Sequence, residues 1–136
     1  MSEENVEIVR QVYDAVARRD TATVITAYDS EVEWDTSRSP WGSIMGGRLY
    51  RGHEGLRRFY REWYEAWGNY REVLEELIDA GEQVIVGATG RGRGRASGAE
   101  VEWSQYGVWT IRDGKVIRVV WFPRRAEALK AAGLSE

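Results

Sequence analysis

Few side chains in this sequence could carry out chemistry, and those that could are dispersed along it. Asp35 ends a short alternating segment, His53 is the only histidine, and Tyr60 lies in an apolar helical stripe. A carboxylate at the mouth of an aromatic cavity would be desolvated, which raises its pKa towards that of a useful base. A neutral imidazole transfers protons near neutral pH, and a phenol donates hydrogen bonds. We therefore predict Asp35, His53 and Tyr60 as catalytic candidates for cofactor-free proton transfer.

Two of these residues also have a structural interpretation. Asp35 could end its strand in water or cap the next loop through its side chain. His53 could satisfy backbone groups at the start of a helix. One histidine without clustered carboxylates does not make a metal site, and a sequence without cysteine cannot provide thiolate ligands. We expect neither a metal nor a cofactor.

A run of arginines alternates with glycine in the second half of the sequence. Alternation places Arg91, Arg93 and Arg95 on one face of a strand. Arg91 could anchor a ligand carboxylate or phosphate. Alternatively the run faces solvent, with Arg93 pairing with Glu102 and Arg95 with Glu100 across a hairpin. The formal net charge of -3 argues against nucleic-acid binding.

The seven tryptophans and seven tyrosines could either line a hollow or fill it. Each large ring buries roughly 150–250 Å², so a few of them would close a small pocket. Gly87, Thr89 and Gly107 lie beside the rings and would leave space. An aromatic hollow would suit a flat, apolar ligand with one or two polar atoms.

The elements that must position these residues follow from periodicity and turn signals. At 136 residues the chain is expected to form one domain. Helices are predicted at 3–19, 21–28, 53–67 and 125–132, with Asp20 as an N-cap. Strands are predicted at 31–35, 70–80, 83–95, 99–112 and 115–123, and 36–51 reads as a long loop. Helices followed by a four-strand meander indicate an α+β domain.

Three segments resemble the SnoaL-like proteins of the nuclear transport factor 2-like superfamily. They are NVEIVRQVYDAVARRDTATVITAYDSEVEWD, YRGHEGLRRFYREW and GVWTIRDGKVIRVVWFPRRAEALKAAGL. The resemblance implies a single domain over 1–136, a cone-shaped curved antiparallel sheet with helices packed on its concave side. It implies a pocket between the helices and the sheet. The ligand-binding positions that it implies are Val12, Val16, Trp34, Phe59, Trp63, Ile85, Arg91, Trp103, Trp109 and Trp121.

The resemblance does not carry a known set of catalytic residues onto this sequence. The aspartate of the cyclases falls on Trp121, the tyrosine of the isomerases on Val12, and their protonated aspartate on Gly107. Fold alone does not choose an activity. Two functions therefore stay open: an isomerase, cyclase or hydratase acting on an apolar polycyclic or terpenoid-like ligand, or a non-catalytic ligand-binding or dimeric structural protein.

The oligomeric state is predicted from the resemblance and one face of the sheet, and the cellular location from the apolar runs and the N-terminal segment. The resemblance implies a homodimer that pairs sheet to sheet, through a face predicted to carry Val84, Val86, Val108, Val120 and Phe122. No apolar run reaches the ~20 residues of a membrane span, and the acidic, amphipathic start is not a signal peptide. We expect a cytoplasmic protein.

Overall fold

The computed structural model describes residues 2–39, 41–42 and 48–135. The described residues form four helices and six strands in one mixed sheet. The predicted α+β class is confirmed. In chain order the elements are α1 (Ser2–Ala17), α2 (Thr21–Thr26), β1 (Tyr28–Asp35), β2 (Leu49–Arg51), α3 (Gly52–Ala66), β3 (Trp67–Ala80), β4 (Gln83–Gly94), β5 (Glu100–Arg112), β6 (Lys115–Phe122) and α4 (Arg125–Ala131).

The sheet has the order β2-β1-β6-β5-β4-β3. Strands β3 to β6 form the predicted antiparallel meander. Strand β1 runs parallel to β6, with Trp34 opposite Val119, so the sheet is not purely antiparallel. Strand β2 was not predicted, because three residues are too few to show an alternating pattern. Asp113 and Gly114 both have positive φ and form the tight turn between β5 and β6 that the Asp-Gly pair predicts.

Helices α1, α2 and α3 cover the concave face. Val9, Val12 and Ala15 recur at a spacing of three along α1 and are buried in the main core. The Asp20 side chain accepts the Thr23 N–H at 3.1 Å, which confirms the predicted N-cap of α2. The apolar stripe of α3 is also confirmed, and it continues directly into Trp67, the first residue of β3.

The predicted facing of β4 is wrong by one residue. Val84 and Val86 belong to the core beneath the helices, while Ile85 packs on the other side of the sheet. Residues 84–88 are all buried, so β4 is covered on both faces and lacks the apolar–polar alternation that would define its facing. Strand β5 has the predicted facing, with Trp109 under the helices and Val108 opposite.

Helix α4 packs on the convex face, which corrects the expectation that the helices share the concave side. Its Ala128 and Leu129 are buried against Ile85, Val108, Val120 and Phe122. The apolar residues expected to form an exposed dimer face are therefore covered within one chain: the last three of them are at most 8% exposed.

Candidate functional site

An aromatic cluster fills the space between α1, α3 and the concave face of the sheet. It leaves a cavity of about 30 Å³, which is room for one or two water molecules. Of the two alternatives that the sequence left open, the interior is therefore nearer to a filled aromatic core than to a hollow. The residues around this inner cavity are Val12, Tyr13, Val16, Trp34, Trp41, Phe59, Tyr60, Trp63, Tyr64, Tyr70, Glu72, Gln105, Trp109 and Trp121.

One carboxylate, that of Glu72 on β3, lies in this aromatic wall. The Tyr13 hydroxyl donates to its Oε2 at 2.8 Å and the Gln105 amide donates to the same oxygen at 3.1 Å. The Tyr70 hydroxyl donates to Oε1. Burial raises the pKa of Glu72, and the three hydrogen bonds act in the opposite direction without cancelling that effect. A raised pKa makes this carboxylate a stronger base than an exposed glutamate.

The two tyrosines that hold Glu72 remain protonated donors. Burial raises the pKa of both Tyr13 and Tyr70 well above that of a free phenol, and the neighbouring Glu72 charge adds to the effect. Both hydroxyls therefore keep donating to the carboxylate over the whole range in which Glu72 changes its charge.

Gln105 connects Glu72 to two tryptophans. Its Oε1 accepts the indole N–H of Trp41 at 2.7 Å and that of Trp103 at 3.2 Å. An indole nitrogen only donates, so the amide oxygen must face the indoles and the amide nitrogen must face Glu72. The buried Gln105 side chain thus has a single consistent orientation.

Trp41 differs from the other residues around the inner cavity because it lies in a loop. The other lining residues all lie on helices or strands, whereas Trp41 lies in the connection between β1 and β2. Its ring is 4.5 Å from that of Trp63 and 6.1 Å from that of Phe59. Only 4% of Trp41 is exposed. A loop residue therefore fills space in the middle of the aromatic cluster.

Glycine at position 90 allows Trp103 to reach Gln105. A Cβ at Gly90 would lie 2.8 Å from Cε2 and Cζ2 of the Trp103 ring. We predict that Gly90→Ala displaces the ring and destabilises the protein by about 1–3 kcal/mol, as overpacking does. Urea denaturation measures this. Gly68→Ala is the matched control, since its Cβ would meet nothing nearer than 3.7 Å; equal stability of the two variants would contradict the prediction.

An outer groove of about 300 Å³ lies on the other side of Glu72, between α1 and β3. It shares Tyr13, Val16, Tyr64, Tyr70 and Glu72 with the inner cavity, so these residues form the wall between them. The Arg19 guanidinium lies at the rim, 4.2 Å from the centre of the Tyr64 ring. Glu72 is itself one of these shared residues and is half-buried, so it borders both the inner cavity and the outer groove.

Most of the predicted ligand-binding positions do meet around the inner cavity. Val12, Val16, Trp34, Phe59, Trp63, Trp109 and Trp121 line it, and so does the catalytic candidate Tyr60. Trp103 stands behind this wall and contacts it through Gln105. Ile85 and Arg91 lie on the opposite face of β4, because its facing is shifted by one residue.

Asp35 and His53 lie outside the inner cavity. The Asp35 carboxylate accepts the Ser37 backbone N–H at 2.9 Å and its hydroxyl at 2.6 Å, so it caps the turn after β1. His53 Nε2 lies 2.8 Å from the carbonyl oxygen of Tyr28. A carbonyl only accepts, so this nitrogen is protonated and donates. Neither group contacts Glu72 or its partners.

Two arginines of the run form surface ion pairs across the β4–β5 hairpin. Each glutamate pairs with the arginine two residues before the predicted one. Arg91 pairs with Glu102, and Arg93 pairs with Glu100 at 2.8 Å. Arg95 instead donates to the backbone carbonyl of Tyr64 at 3.1 Å. All three arginines are exposed, so these pairs stabilise the hairpin only weakly.

The sequence interpretation did not single out Glu72, and it considered Gln105 only as one possible acceptor for a buried indole N–H. Glu72 alternates with Tyr70 and Leu74, an acid in the apolar half of an alternating strand, and that was the available signal. Glu75 and Glu76 follow a few residues later and make the whole strand acidic, which conceals this signal. Gln105 is likewise an isolated amide between two tryptophans.

The part of the chain that the structure describes contains neither a candidate metal site nor a helix that could span a membrane. Its single histidine and its carboxylates form no group of three or more that could hold a metal ion. None of its helices combines the length and the apolar character needed to cross a lipid bilayer.

Comparison with known families agrees with this geometry. Residues 9–119 match the SnoaL-like domain family. The chain belongs to the SnoaL-like family. The match covers α1 from Val9, the whole of α2 and α3, and all strands to Val119 of β6, so it includes every residue that lines the inner cavity except Trp121. No curated protein sequence matches the chain.

Three solved structures with the same fold can be compared with this SnoaL-like protein. An NTF2-like protein of unknown function from Burkholderia pseudomallei K96243 is 26% identical with a TM-score of 0.79, covering 93% of this chain and 95% of that one. TerC, co-crystallised with polyporic acid, is 23% identical with a TM-score of 0.76, covering 96% and 98%. A proposed SnoaL-like polyketide cyclase from Jannaschia sp. CCS1 is 21% identical with a TM-score of 0.72, covering 88% and 85%. These structures establish the cone-shaped α+β fold.

Proposed function

We propose that this SnoaL-like protein binds a small, mostly apolar, ring-bearing molecule in its aromatic cavity and transfers a proton to or from it through Glu72. The observation that carries the proposal is a desolvated carboxylate in an aromatic wall, hydrogen-bonded to three neutral donors. Relatives in fold named as a polyketide cyclase and crystallised with polyporic acid accord with a small-molecule role. The reaction class is cofactor-free isomerisation, cyclisation or hydration of a polycyclic or terpenoid-like compound.

A ligand larger than two water molecules requires a side chain to leave, and Trp41 is the best candidate. The other lining residues are held by helices or strands, whose backbone hydrogen bonds would have to break for them to move away. Among the described residues, Trp41 is held by its ring contacts with Trp63 and Phe59 and by a hydrogen bond to Gln105. When it leaves, a planar space opens beside Gln105 and in reach of the Glu72 network.

Glu72 supplies the acid–base function, and its neighbours supply orientation. With Tyr13 and Gln105 on one oxygen and Tyr70 on the other, the carboxylate cannot rotate freely. A proton taken from the ligand is then returned at a second position from the same carboxyl group. Tyr60, which also lines the cavity, is placed to donate a hydrogen bond to the ligand.

The proposal is tested by deuterium exchange. 2-Indanone is a flat ring ketone with exchangeable hydrogens beside its carbonyl group. NMR in D₂O should show that the protein accelerates their exchange well beyond buffer at the same pH. A rate equal to that of buffer for 2-indanone and for the larger 2-tetralone would contradict proton transfer by Glu72.

A second candidate function is ligand binding without catalysis. It is favoured by the apolar residues at the positions where related enzymes carry acids or a tyrosine, and by the tight packing of the inner cavity. Under this proposal the same ketones bind and shift tryptophan fluorescence, but they take up deuterium no faster than in buffer. The exchange experiment therefore separates the two functions directly.

We also propose that the protein is a homodimer that pairs through the convex face beside α4. The groove there has a volume of about 630 Å³ and carries both signs of charge: Asp35 and Glu127 against Arg38, Arg118 and Lys130. A second copy related by a twofold axis would match these charges to one another. We predict a dimeric mass in light scattering and a shift towards monomer in Arg118→Glu; a wild-type monomer at micromolar concentration would contradict the dimer.

A cytoplasmic location of the protein stays a prediction.

A further inference from the structure

We propose that the outer groove between α1 and β3 is a second ligand site, which binds a small aromatic carboxylate with the carboxylate group on Arg19. The groove lies outside the inner cavity and is open without any movement of Trp41. The second site therefore does not depend on the function proposed above.

The outer groove has the size and the apolar lining that a ring-bearing molecule needs. Its volume of about 300 Å³ lies at the lower end of the range for small-molecule sites. Tyr13 and Tyr70 donate their hydroxyl hydrogens to Glu72, so they contribute ring surface to the groove. Val73 adds an apolar side chain that is 60% exposed. An aromatic ring bound here would remove this apolar surface from water, which favours binding.

Arg19 is held at the rim of the groove by two contacts that leave most of its donors available. Its guanidinium carbon lies 4.2 Å from the centre of the Tyr64 ring, and Nη2 donates to the carbonyl oxygen of Tyr70 at 3.2 Å. A guanidinium carries five N–H groups, and Arg19 has no ion-pair partner among the described residues. Its planar fork matches the two oxygens of a carboxylate, and an anchored fork loses little freedom on binding.

The backbone at Arg19 has a conformation that glycine normally adopts. The Arg19 N–H donates to the Val16 carbonyl at 2.9 Å and the Asp20 N–H donates to the Ala15 carbonyl at 2.9 Å. This is the Schellman pattern, in which the residue after the helix has positive φ and is usually glycine. Arg19 has a φ of 58°, which costs free energy in any residue with a Cβ. A strained position that carries a long cation beside a groove indicates a role for that cation.

The charges around the outer groove favour a ligand with one negative charge. Arg19 and Arg71 line the groove with two positive charges, and ionised Glu72 adds one negative charge. Arg71, like Arg19, has no ion-pair partner among the described residues. The Glu72 oxygens already accept three hydrogen bonds. A monoanion would neutralise the remaining positive charge, whereas a dianion such as a phosphate monoester would place excess negative charge beside Glu72.

The test compares two ligands of the same shape. 2-Naphthoate is an anion at pH 7, and 2-naphthamide is its neutral counterpart with an NH₂ group in place of one oxygen. We expect NMR titration of the wild-type protein to show about tenfold tighter binding of 2-naphthoate. The bound anion should also give nuclear Overhauser effects to the methyl groups of Ala17 and Val73, which line the outer groove but not the inner cavity.

Four variants identify the cation that binds the carboxylate. Arg19→Gln should remove most of the preference for 2-naphthoate, and Arg19→Lys should retain part of it because the charge remains without the fork. Arg18→Gln is the matched control, since it removes the same charge from a neighbouring exposed residue that does not line the groove. Arg19→Gly should also lose the preference, and it covers the risk of misfolding because glycine suits the positive φ.

The outcomes that overturn the second site are distinct from those that overturn the proposed function. Equal affinities of the two ligands for wild type, equal losses in Arg18→Gln and Arg19→Gln, or Overhauser effects to inner-cavity residues alone would overturn it. Absence of binding by both ligands at millimolar concentration would do the same. The deuterium exchange of 2-indanone tests the proposed function separately, so either proposal can fail while the other holds.

Discussion

Glu72→Gln is expected to abolish the protein's acceleration of 2-indanone exchange, with a loss of roughly 10²–10⁴-fold, the contribution typical of a general base. The replacement fits the existing network. Its amide oxygen can accept from Tyr13 and Gln105 in the place of Oε2, and its amide nitrogen can donate to the Tyr70 oxygen in the place of Oε1. The fold should therefore survive while the base is lost.

The same substitution should change how stability depends on pH. Burial raises the pKa of Glu72 above the ordinary glutamate value of 4.5, so the folded protein binds the proton more tightly than the unfolded chain. Wild-type stability then falls relative to that of Glu72→Gln as pH rises from 4.5 through the pKa of the folded state. Urea denaturation of both proteins across this range measures the difference. A constant difference, or one of opposite sign, would contradict a desolvated Glu72.

Two further variants make the kinetic result specific. Glu75→Gln alters an exposed acid on the same strand, which accepts a hydrogen bond from Thr89 at 2.5 Å, and it should exchange 2-indanone at the wild-type rate. Asp35→Asn tests the acid that the sequence favoured and should also leave exchange unchanged. Full activity in Glu72→Gln together with loss in Asp35→Asn would return the catalytic role to Asp35.

Trp41→Ala should destabilise the protein by about 3–5 kcal/mol, as expected when a large buried ring is removed and leaves a cavity. Free indole should restore part of this stability, because its ring fits the space against Trp63 and its N–H reaches Gln105 Oε1 as that of Trp41 does. The expected gain grows with the logarithm of indole concentration above its Kd. Urea denaturation with and without indole measures both effects.

A matched ligand isolates the hydrogen bond from the packing. 1-Methylindole has the same ring system but cannot donate to Gln105, so it should stabilise Trp41→Ala much less than indole does. Equal effects of the two ligands would show that Gln105 does not recognise the donor. No effect of either would show that the aromatic cluster collapses into the vacated space, and the proposed opening at Trp41 would then be wrong.

The fold of this SnoaL-like protein was largely predictable because local sequence patterns determine its helices, strands and turns. The three-and-four spacing in α1 and α3, the Asp20 cap and the Asp113-Gly114 turn are each encoded within a few neighbouring residues. Most of the aromatic cluster was predictable for the same reason, since the stripe of α3 and the facing of β5 follow from their periods. Residues such as Phe59, Trp63 and Trp109 therefore meet where they were expected.

What only the tertiary structure decided is how far each side chain is removed from water. Strand β4 is buried on both faces, so nothing in its own sequence shows that Val84 and Ile85 face opposite cores. Glu72 looks like its exposed neighbour Glu75 until α1 brings Tyr13 over it and β5 brings Gln105 beside it. Burial, and with it the raised pKa of Glu72, is produced by contacts between residues far apart in sequence. The sequence by itself therefore determined the elements and most of the aromatic wall, and the packing of those elements determined that Glu72 is the acid that lines it among the described residues.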